Sequence, residues 1–280
     1  MSFPATHYSP NDIRRALEKL PIATGDVLFI HSNLGFFGRP AGLPNTQAVC
    51  SAFFNAIWER LGSKGTIVVP TFTYSFPRRK VFDPVSSESD GGVFAEWLRR
   101  QPDTMRSLDP CYSVAATGLL ASALTTDAPE NSFSPDSFFG RFHRAGGKIL
   151  NLNFDAGSTF LHYVERQLQV PYRFDKTFEG WARIDGRLRI SRSTIYVRYA
   201  SSDATVVAFE PFDTVARQSG CFATVALGRG QMGVISAEDS YRLVADNLSK
   251  RPWLLTRAEV LNMVPDLLSE SAYQSLCYQP

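Results

Sequence analysis

Lys148-Ile-Leu-Asn-Leu-Asn-Phe154, followed three residues later by Ser158-Thr-Phe-Leu-His-Tyr-Val-Glu165, reads as a buried strand running into a helix. Ser158 can cap that helix with its hydroxyl. His162 and Glu165 then fall within its first two turns, three residues apart and therefore on one face. Strand ends of this kind are where α/β folds gather their sites. A carboxylate beside an imidazole fixes its tautomer and raises its basicity, which is what a general base needs. Taken alone, such a pair is more often a surface or structural contact than a functional one.

The same alternation continues outward. Residues 46–61 place Val49, Phe53, Phe54 and Ile57 on one helical face and stop at Gly62, a residue suited to the position after a helix. Apolar strands at 27–30 and 67–69 flank that helix. Ser9-Pro10 opens an earlier one, with proline at the first helical position and Ile13, Leu17 and Leu20 at helical spacing. Further helices are expected at 93–100 and 136–144. Residues 71–92 carry few regular signals, and so long a loop in a compact domain is usually functional. Past Pro171 the pattern changes to period two over 181–190 and 194–200, with Asp185-Gly186 between them as a hairpin turn. Residues 206–209 are a candidate further strand. Ser236-x-x-Asp239 opens one closing helix, and Thr256-x-x-Glu259 reads as a capping box for another. The expected class is α/β: a central, largely parallel sheet flanked by helices, with an antiparallel β insertion in the C-terminal half. The insertion is expected at about residues 171–210 of a single 1–280 domain.

Three more segments add to the His–Glu pair. They are Gly25-Asp-Val-Leu-Phe-Ile-His-Ser-Asn-Leu-Gly-Phe-Phe-Gly38, Gly65-Thr-Ile-Val-Val-Pro-Thr-Phe-Thr73 and Arg106-Ser-Leu-Asp-Pro-Cys-Tyr-Ser-Val-Ala-Ala-Thr-Gly118. In this order the chain resembles the aminoglycoside 3-N-acetyltransferase family, antibiotic acetyltransferases unrelated to the GNAT fold. The motifs are His-Ser-x-Leu, Pro-Thr-Phe-Thr, Arg-Ser-x-x-Pro-x-x-Ser and Thr-x-x-His-x-x-Glu. Asn33 stands where that family commonly has a second serine, and it keeps a donor and an acceptor there. The resemblance implies acetyl-CoA, or another short acyl-CoA, as co-substrate. It implies that Ser32, Asn33 and Leu34 lie along that cofactor, with Thr71, Phe72, Ser107 and Ser113 near it. Backbone N–H groups beside small polar side chains in the 31–38 turn would suit its pyrophosphate and amides.

An amine at neutral pH must lose a proton before it attacks a thioester, and the developing oxyanion needs a donor. His162 is the candidate base, Glu165 its orienter, and Thr159 or a backbone N–H at the helix start the oxyanion donor. No cysteine is placed to carry the acyl group, so direct transfer is favoured.

Composition limits the alternatives. The chain has 280 residues, 44% hydrophobic and 20% charged, with a net charge of +2 and no lysine or arginine block. These values suit a soluble enzyme and give no case for nucleic-acid binding. Four scattered cysteines (Cys50, Cys111, Cys221, Cys277) lack C-x-x-C spacing, and no His or Cys pair has zinc spacing, so no metal is expected. Neither a leader-like N-terminus nor an apolar run long enough for a bilayer is visible, and a cytoplasmic protein without membrane contact is expected. Gly228-Arg-Gly-Gln-Met-Gly233 mimics a dinucleotide fingerprint, but the next helix opens only at Ser236, so it reads as a glycine turn. The resemblance puts such a turn near the active site. His143 reads as structural or exposed, His31 as a satisfied buried histidine and His7 as part of a tail. Phe36, Phe37 and Phe76 suit an acyl pocket or the core. No Gly-x-Ser-x-Gly elbow marks a hydrolase serine.

The acceptor is less plain. Arg166, Arg173, Lys176, Arg183, Arg187, Arg189, Arg192 and Arg198 follow His162, against Asp175, Glu179 and Asp185. Arginines suit diphosphates. The segment Val170-Pro-Tyr-Arg-Phe-Asp-Lys-Thr-Phe-Glu-Gly180 is similar to family members associated with surface-polysaccharide genes. The expected acceptor is therefore the amine of an amino sugar, nucleotide-linked, with Tyr172 and Arg173 as substrate-binding residues. The alternatives are true aminoglycoside 3-N-acetylation, an inactive acyl-CoA-binding relative, solvated hairpin charges, and a hairpin that makes a homo-oligomer.

Overall fold

The computed structural model describes residues 7–200 and 202–263; residues 1–6 and Cys277, both read above, lie outside them. The elements are α1 (Pro10–Glu18), β1 (Val27–Ser32), α2 (Thr46–Leu61), β2 (Thr66–Pro70), α3 (Val93–Arg99), β3 (Met105–Arg106), β4 (Val114–Gly118), α4 (Ala121–Thr125), α5 (Phe138–Arg144), β5 (Lys148–Leu152) and α6 (Phe160–Gln167). They continue with β6 (Arg173–Ile184), β7 (Arg187–Arg198), α7 (Glu210–Gln218), β8 (Ala223–Leu227), β9 (Gly230–Ser236), α8 (Ala237–Leu248) and α9 (Arg257–Val260). Seven strands make one sheet in the order β3-β4-β2-β1-β5-β9-β8, and β6-β7 form a separate hairpin. β1 runs parallel to β2 and β5 at the centre. The strands beyond β2 and β5 are antiparallel on both sides. The α/β class with an antiparallel insertion in the C-terminal half is as expected.

Alternate residues of β1 feed two cores, because successive side chains of a strand point to opposite faces. Val27 and Phe29 join Val68, Ile149, Phe138, Phe139, Phe142 and Phe160 on one face. Leu28 and Ile30 join Ile67, Val69, Phe53 and Ile57 on the other. The Phe29 ring lies 5.0, 6.1 and 5.8 Å from those of Phe138, Phe139 and Phe142. Each buried side chain of this size contributes about 1.5–3 kcal/mol, so this aromatic layer holds α5 against the sheet. Helices therefore cover both faces, and the ends of the central strands are left as the accessible edge.

Local signals account for several boundaries. Ser9 and Asp12 form a reciprocal capping box on α1, with Pro10 in its first turn. α2 spans the expected residues and ends at Gly62, whose φ of 64° favours glycine. Asp185 and Gly186 have φ of 50° and 74°, as a two-residue turn of the I′ type requires.

Other readings are corrected. Residues 206–209 form no strand and make a single bridge, Val207 to Thr256. The Gly228 turn is a glycine turn as read, but it joins two strands that were not expected, β8 and β9. A side chain at Gly228 would come within 2.3 Å of the Phe37 carbonyl, so this turn packs directly on the 34–37 turn. Thr256 does not cap α9; its hydroxyl donates back to Trp253 O at 2.9 Å. Ser158 does not cap α6 either, since Thr159 takes the N-cap position. His7 is not part of a tail: its backbone N donates to Arg39 O, and its Nδ1 accepts from Arg39 N at 2.9 Å. Among the described residues no helix is long and apolar enough to cross a membrane.

Candidate active site

The C-terminal ends of β1 and β5 open a crevice, as adjacent parallel strands do in such sheets. Asn33 N donates to Leu152 O at 2.9 Å, and the Asn153 side-chain amide donates to Asn33 O at 2.9 Å. Asn153 adopts φ of 64°, a left-handed conformation that asparagine tolerates. Its side-chain oxygen accepts from Gln231 N, so one residue ties β1, β5 and β9 together at the crevice.

Two cavities meet there. The first, about 750 Å³, has Ser32, Asn33, Leu34 and Gly35 on one wall and Asp90, Gly91 and Gly92 on the other. The second, about 320 Å³, is lined by His31, Asp155, Ser158, Thr159, Phe209 and Glu210. Phe154 lines both. Asp155 and Phe154 also face an open groove that contains Asp213.

His162 stands beside the smaller cavity, its ring 6.0 Å from that of Phe209 and 6.1 Å from that of Phe133. Its Nδ1 lies 2.6 Å from Glu165 Oε2. Glu165 is wholly buried, and Arg173 Nε approaches the same oxygen at 2.8 Å. Burial alone would raise the Glu165 carboxyl, but Arg173 and His162 outweigh it and hold it below its ordinary value. An ionised Glu165 must accept from Nδ1–H, which leaves Nε2 as the unprotonated nitrogen. Burial first, and then the Arg173 cation, push His162 below its ordinary value despite the carboxylate. Histidine titration by NMR is expected to give a midpoint under about 6.5. A midpoint above that would mean that Glu165, not burial, controls the basicity.

The residues singled out in the sequence divide into three groups. Ser32, Asn33, Leu34 and Thr159 line the cavities, with His162 and Glu165 next to them. Thr71, Phe72, Ser107 and Ser113 are buried behind the cleft. Ser113 Oγ donates to Thr71 O at 2.6 Å, and Ser107 Oγ accepts from Val114 N at 3.0 Å. Tyr172 and Arg173 are buried around Glu165 and line neither cavity. The remaining arginines are largely engaged: Arg166 with Asp175 at 2.7 Å, Arg183 with Asp83 at 3.2 Å, Arg192 with Glu130 at 3.8 Å, and Arg198 with Thr205 Oγ1 at 3.2 Å. None of them lines the two cavities.

Other side chains divide between the readings given them. His31 departs from its own: it is driven down to about 4 by burial, and its buried Nε2 has no partner among the described residues, so it is not the satisfied histidine expected. His143 pairs with Glu238 from a distant helix at 2.9 Å. Phe37 and Phe76 are core, whereas Phe36 is 69% exposed at the groove. Asp155, Phe209 and Glu210 were missed by sequence reasoning. Asp155 alone had a signal, its place just past a buried strand. Its carboxyl is raised by burial, with Asp213 and Glu210 adding to the effect. Among the described residues no cluster of three His, Cys, Asp or Glu could hold a metal ion.

Residues 29–249 match the family model described as aminoglycoside 3-N-acetyltransferase. The chain is 29% identical over 255 residues to aminoglycoside N(3)-acetyltransferase VII of Streptomyces paromomycinus, covering 82% of this chain and 84% of that protein. Among solved structures it superposes on AAC-VIa bound to sisomicin with a TM-score of 0.74, 22% identity and coverage of 88% and 99%. AAC-IIIb in a binary complex with CoASH gives 0.72, 22% identity and coverage of 88% and 97%. Those two structures share the fold. The family match spans most of the sequence and contains both halves of the site, and the chain belongs to the aminoglycoside 3-N-acetyltransferase family.

Proposed function

We propose that this chain transfers the acetyl group of acetyl-CoA to an amine of an aminoglycoside, with His162 as general base and Glu165 as its orienter. Family membership makes N-acetyl transfer from acetyl-CoA the class of reaction. The observation that carries the acceptor is the meeting, at Phe154, of a cleft of donor size with a cavity walled by Asp155 and Glu210, beside His162. An acidic wall favours a polycation. The arginines that suggested a nucleotide-linked amino sugar are mostly paired within the fold and give that acceptor no support. Coenzyme A would lie along Ser32, Asn33 and Leu34, in a cleft of ordinary ligand volume.

In the reaction the amine nitrogen bonds to the thioester carbon as Nε2 of His162 takes its proton. The carbonyl becomes an oxyanion facing Thr159 and the first N–H groups of α6, a suitable place for negative charge. Collapse breaks the carbon–sulfur bond, and the proton on Nε2 can pass to the departing thiolate. Glu165 steadies the imidazolium formed in between.

The test is free-thiol release from acetyl-CoA with gentamicin- and kanamycin-type aminoglycosides, set against nucleotide-linked amino sugars. Turnover is expected with the aminoglycosides. Turnover with a nucleotide sugar alone would replace the acceptor while keeping the donor. No thiol release with any amine would remove the transfer reaction itself.

A further inference from the structure

Arg106 is a cation without a carboxylate. Among the described residues it makes no salt bridge, yet each of its three guanidinium nitrogens donates a hydrogen bond. Nη1 donates to Pro84 O at 3.0 Å and Ser87 O at 2.6 Å. Nη2 donates to Thr71 O at 2.7 Å. Nε is shared between Thr71 Oγ1 and Ser113 Oγ, both at 3.2 Å. The group also sits 5.4 Å from the centre of the Phe82 ring. Burial lowers its pKa to about 10, so it remains charged at neutral pH. A buried arginine held only by neutral acceptors is costly unless every donor is satisfied. Here the acceptors belong to three segments of chain, one of them Ser113 just before β4.

The other two are the exit of β2 and the irregular stretch that ends at α3. The second has no strand or helix between Pro84 and Gly92 to hold its shape. It is fastened instead by side chains and by the strand end. Arg106 holds Pro84 and Ser87, Arg99 Nη1 donates to Val85 O, Glu96 Oε2 accepts from Ser89 N at 3.0 Å, and Arg78 pairs with Asp90. At the strand end Asp90 N donates to Phe72 O at 2.8 Å and Ser89 Oγ donates to Pro70 O at 3.2 Å. A side chain at Gly91 would meet Pro70 O at 2.0 Å, so the stretch lies flat against β2. Immediately beyond, Asp90, Gly91 and Gly92 form the wall of the larger cleft that faces Ser32–Gly35.

We propose that Arg106 is a positioning residue for the acyl donor: it braces residues 84–87 onto the exit of β2 and so sets the width of the cleft in which coenzyme A lies. It touches neither substrate. The inference rests on the reading of the larger cleft as the donor site. Lysine keeps the charge but cannot bond Pro84, Ser87 and Thr71 carbonyls together.

The test is steady-state kinetics of Arg106→Lys and Arg106→Ala with both substrates, with CoA binding to the wild type measured by calorimetry. The Michaelis constant for acetyl-CoA is expected to rise about tenfold or more in both variants, the factor carried by about 1.4 kcal/mol. kcat and the Michaelis constant for the aminoglycoside should stay within about threefold, and millimolar guanidinium should partly restore acetyl-CoA binding to Arg106→Ala. Where Arg106→Ala does not fold, Arg106→Lys carries the test. A fall in melting temperature and active fraction with both Michaelis constants unchanged would reduce Arg106 to a structural role and overturn the proposal, as would an equal rise in both constants. Failure of the wild type to bind CoA would instead overturn the reading of the cleft.

Discussion

His162→Ala is expected to lower kcat about 10²–10⁴-fold, the usual contribution of a positioned general base, while the fold and its melting temperature change little. The ring is partly exposed, with 13% of its side-chain surface accessible, and its one polar partner is Glu165. Little packing is therefore lost with it. His31 lines the cavity beside which His162 stands, but burial to about 4 makes it a poor proton acceptor at neutral pH. Asp155 and Glu210 line it as well, as the acidic wall that faces the acceptor. Stopped thiol release with acetyl-CoA over a range of pH measures the effect. Because burial and Arg173 set His162 low, kcat/KM of the wild type should hold its plateau down to below about 6.5, and the acid limb should vanish with the histidine. Turnover within tenfold of wild type would remove His162 from the reaction.

The second large effect concerns Arg173, expected from the sequence to bind substrate and found buried against Glu165. Arg173→Ala should cost about 3–5 kcal/mol, because it leaves a wholly buried carboxylate without its cation. The pH dependence follows from Glu165. In the wild type its carboxyl is held below its ordinary value, so the pair stabilises the fold above the unfolded carboxyl pKa and loses that contribution as pH falls through the lower folded value. In the variant only His162 and the Tyr172 hydroxyl oppose burial, and the carboxyl moves up. The difference in stability is therefore largest near neutral pH and narrows on acidification from the variant's raised carboxyl value down to the lower wild-type one. Urea denaturation at pH 7 and at about pH 4, below the ordinary glutamate value, would measure it. A loss under about 1 kcal/mol at pH 7, as for an exposed pair, would show that Glu165 is not committed to Arg173. The acid limb of kcat/KM should also move to higher pH, since the Arg173 charge helps to hold His162 low.

These two residues illustrate what could be read in the sequence. His162 and Glu165 were legible because their relation is local: three residues along a helix places two side chains on one face whatever surrounds them. α2 and the Asp185-Gly186 turn were legible for the same reason, since spacing and backbone preference act over a few residues. Arg173 was misread because its partner, eight positions back, comes from another element, and its charge alone fits a ligand as well as a carboxylate. Thr71 and Ser113 were placed near the cofactor by the resemblance alone; that they accept from Arg106 could not be read, because the three residues come from separate segments of chain. The β8–β9 pair escaped notice because strands of five and seven residues around a glycine turn, the second opening on Gly230 and interrupted by Gly233, carry too little periodicity to separate from a loop.

By itself, then, the sequence determined the alternation of strands and helices, the central apolar strands, the long hairpin and the His162–Glu165 pair, all set by interactions between near neighbours in the chain. Only the tertiary structure decided which charges face one another: the acids Asp155 and Glu210 at the cavity, the arginines bound to carboxylates elsewhere, and Arg106 bracing the cleft. A charged side chain reaches several ångströms and its partner is chosen by folding, so its role is fixed by distance in space and burial, neither of which is written in spacing along the chain.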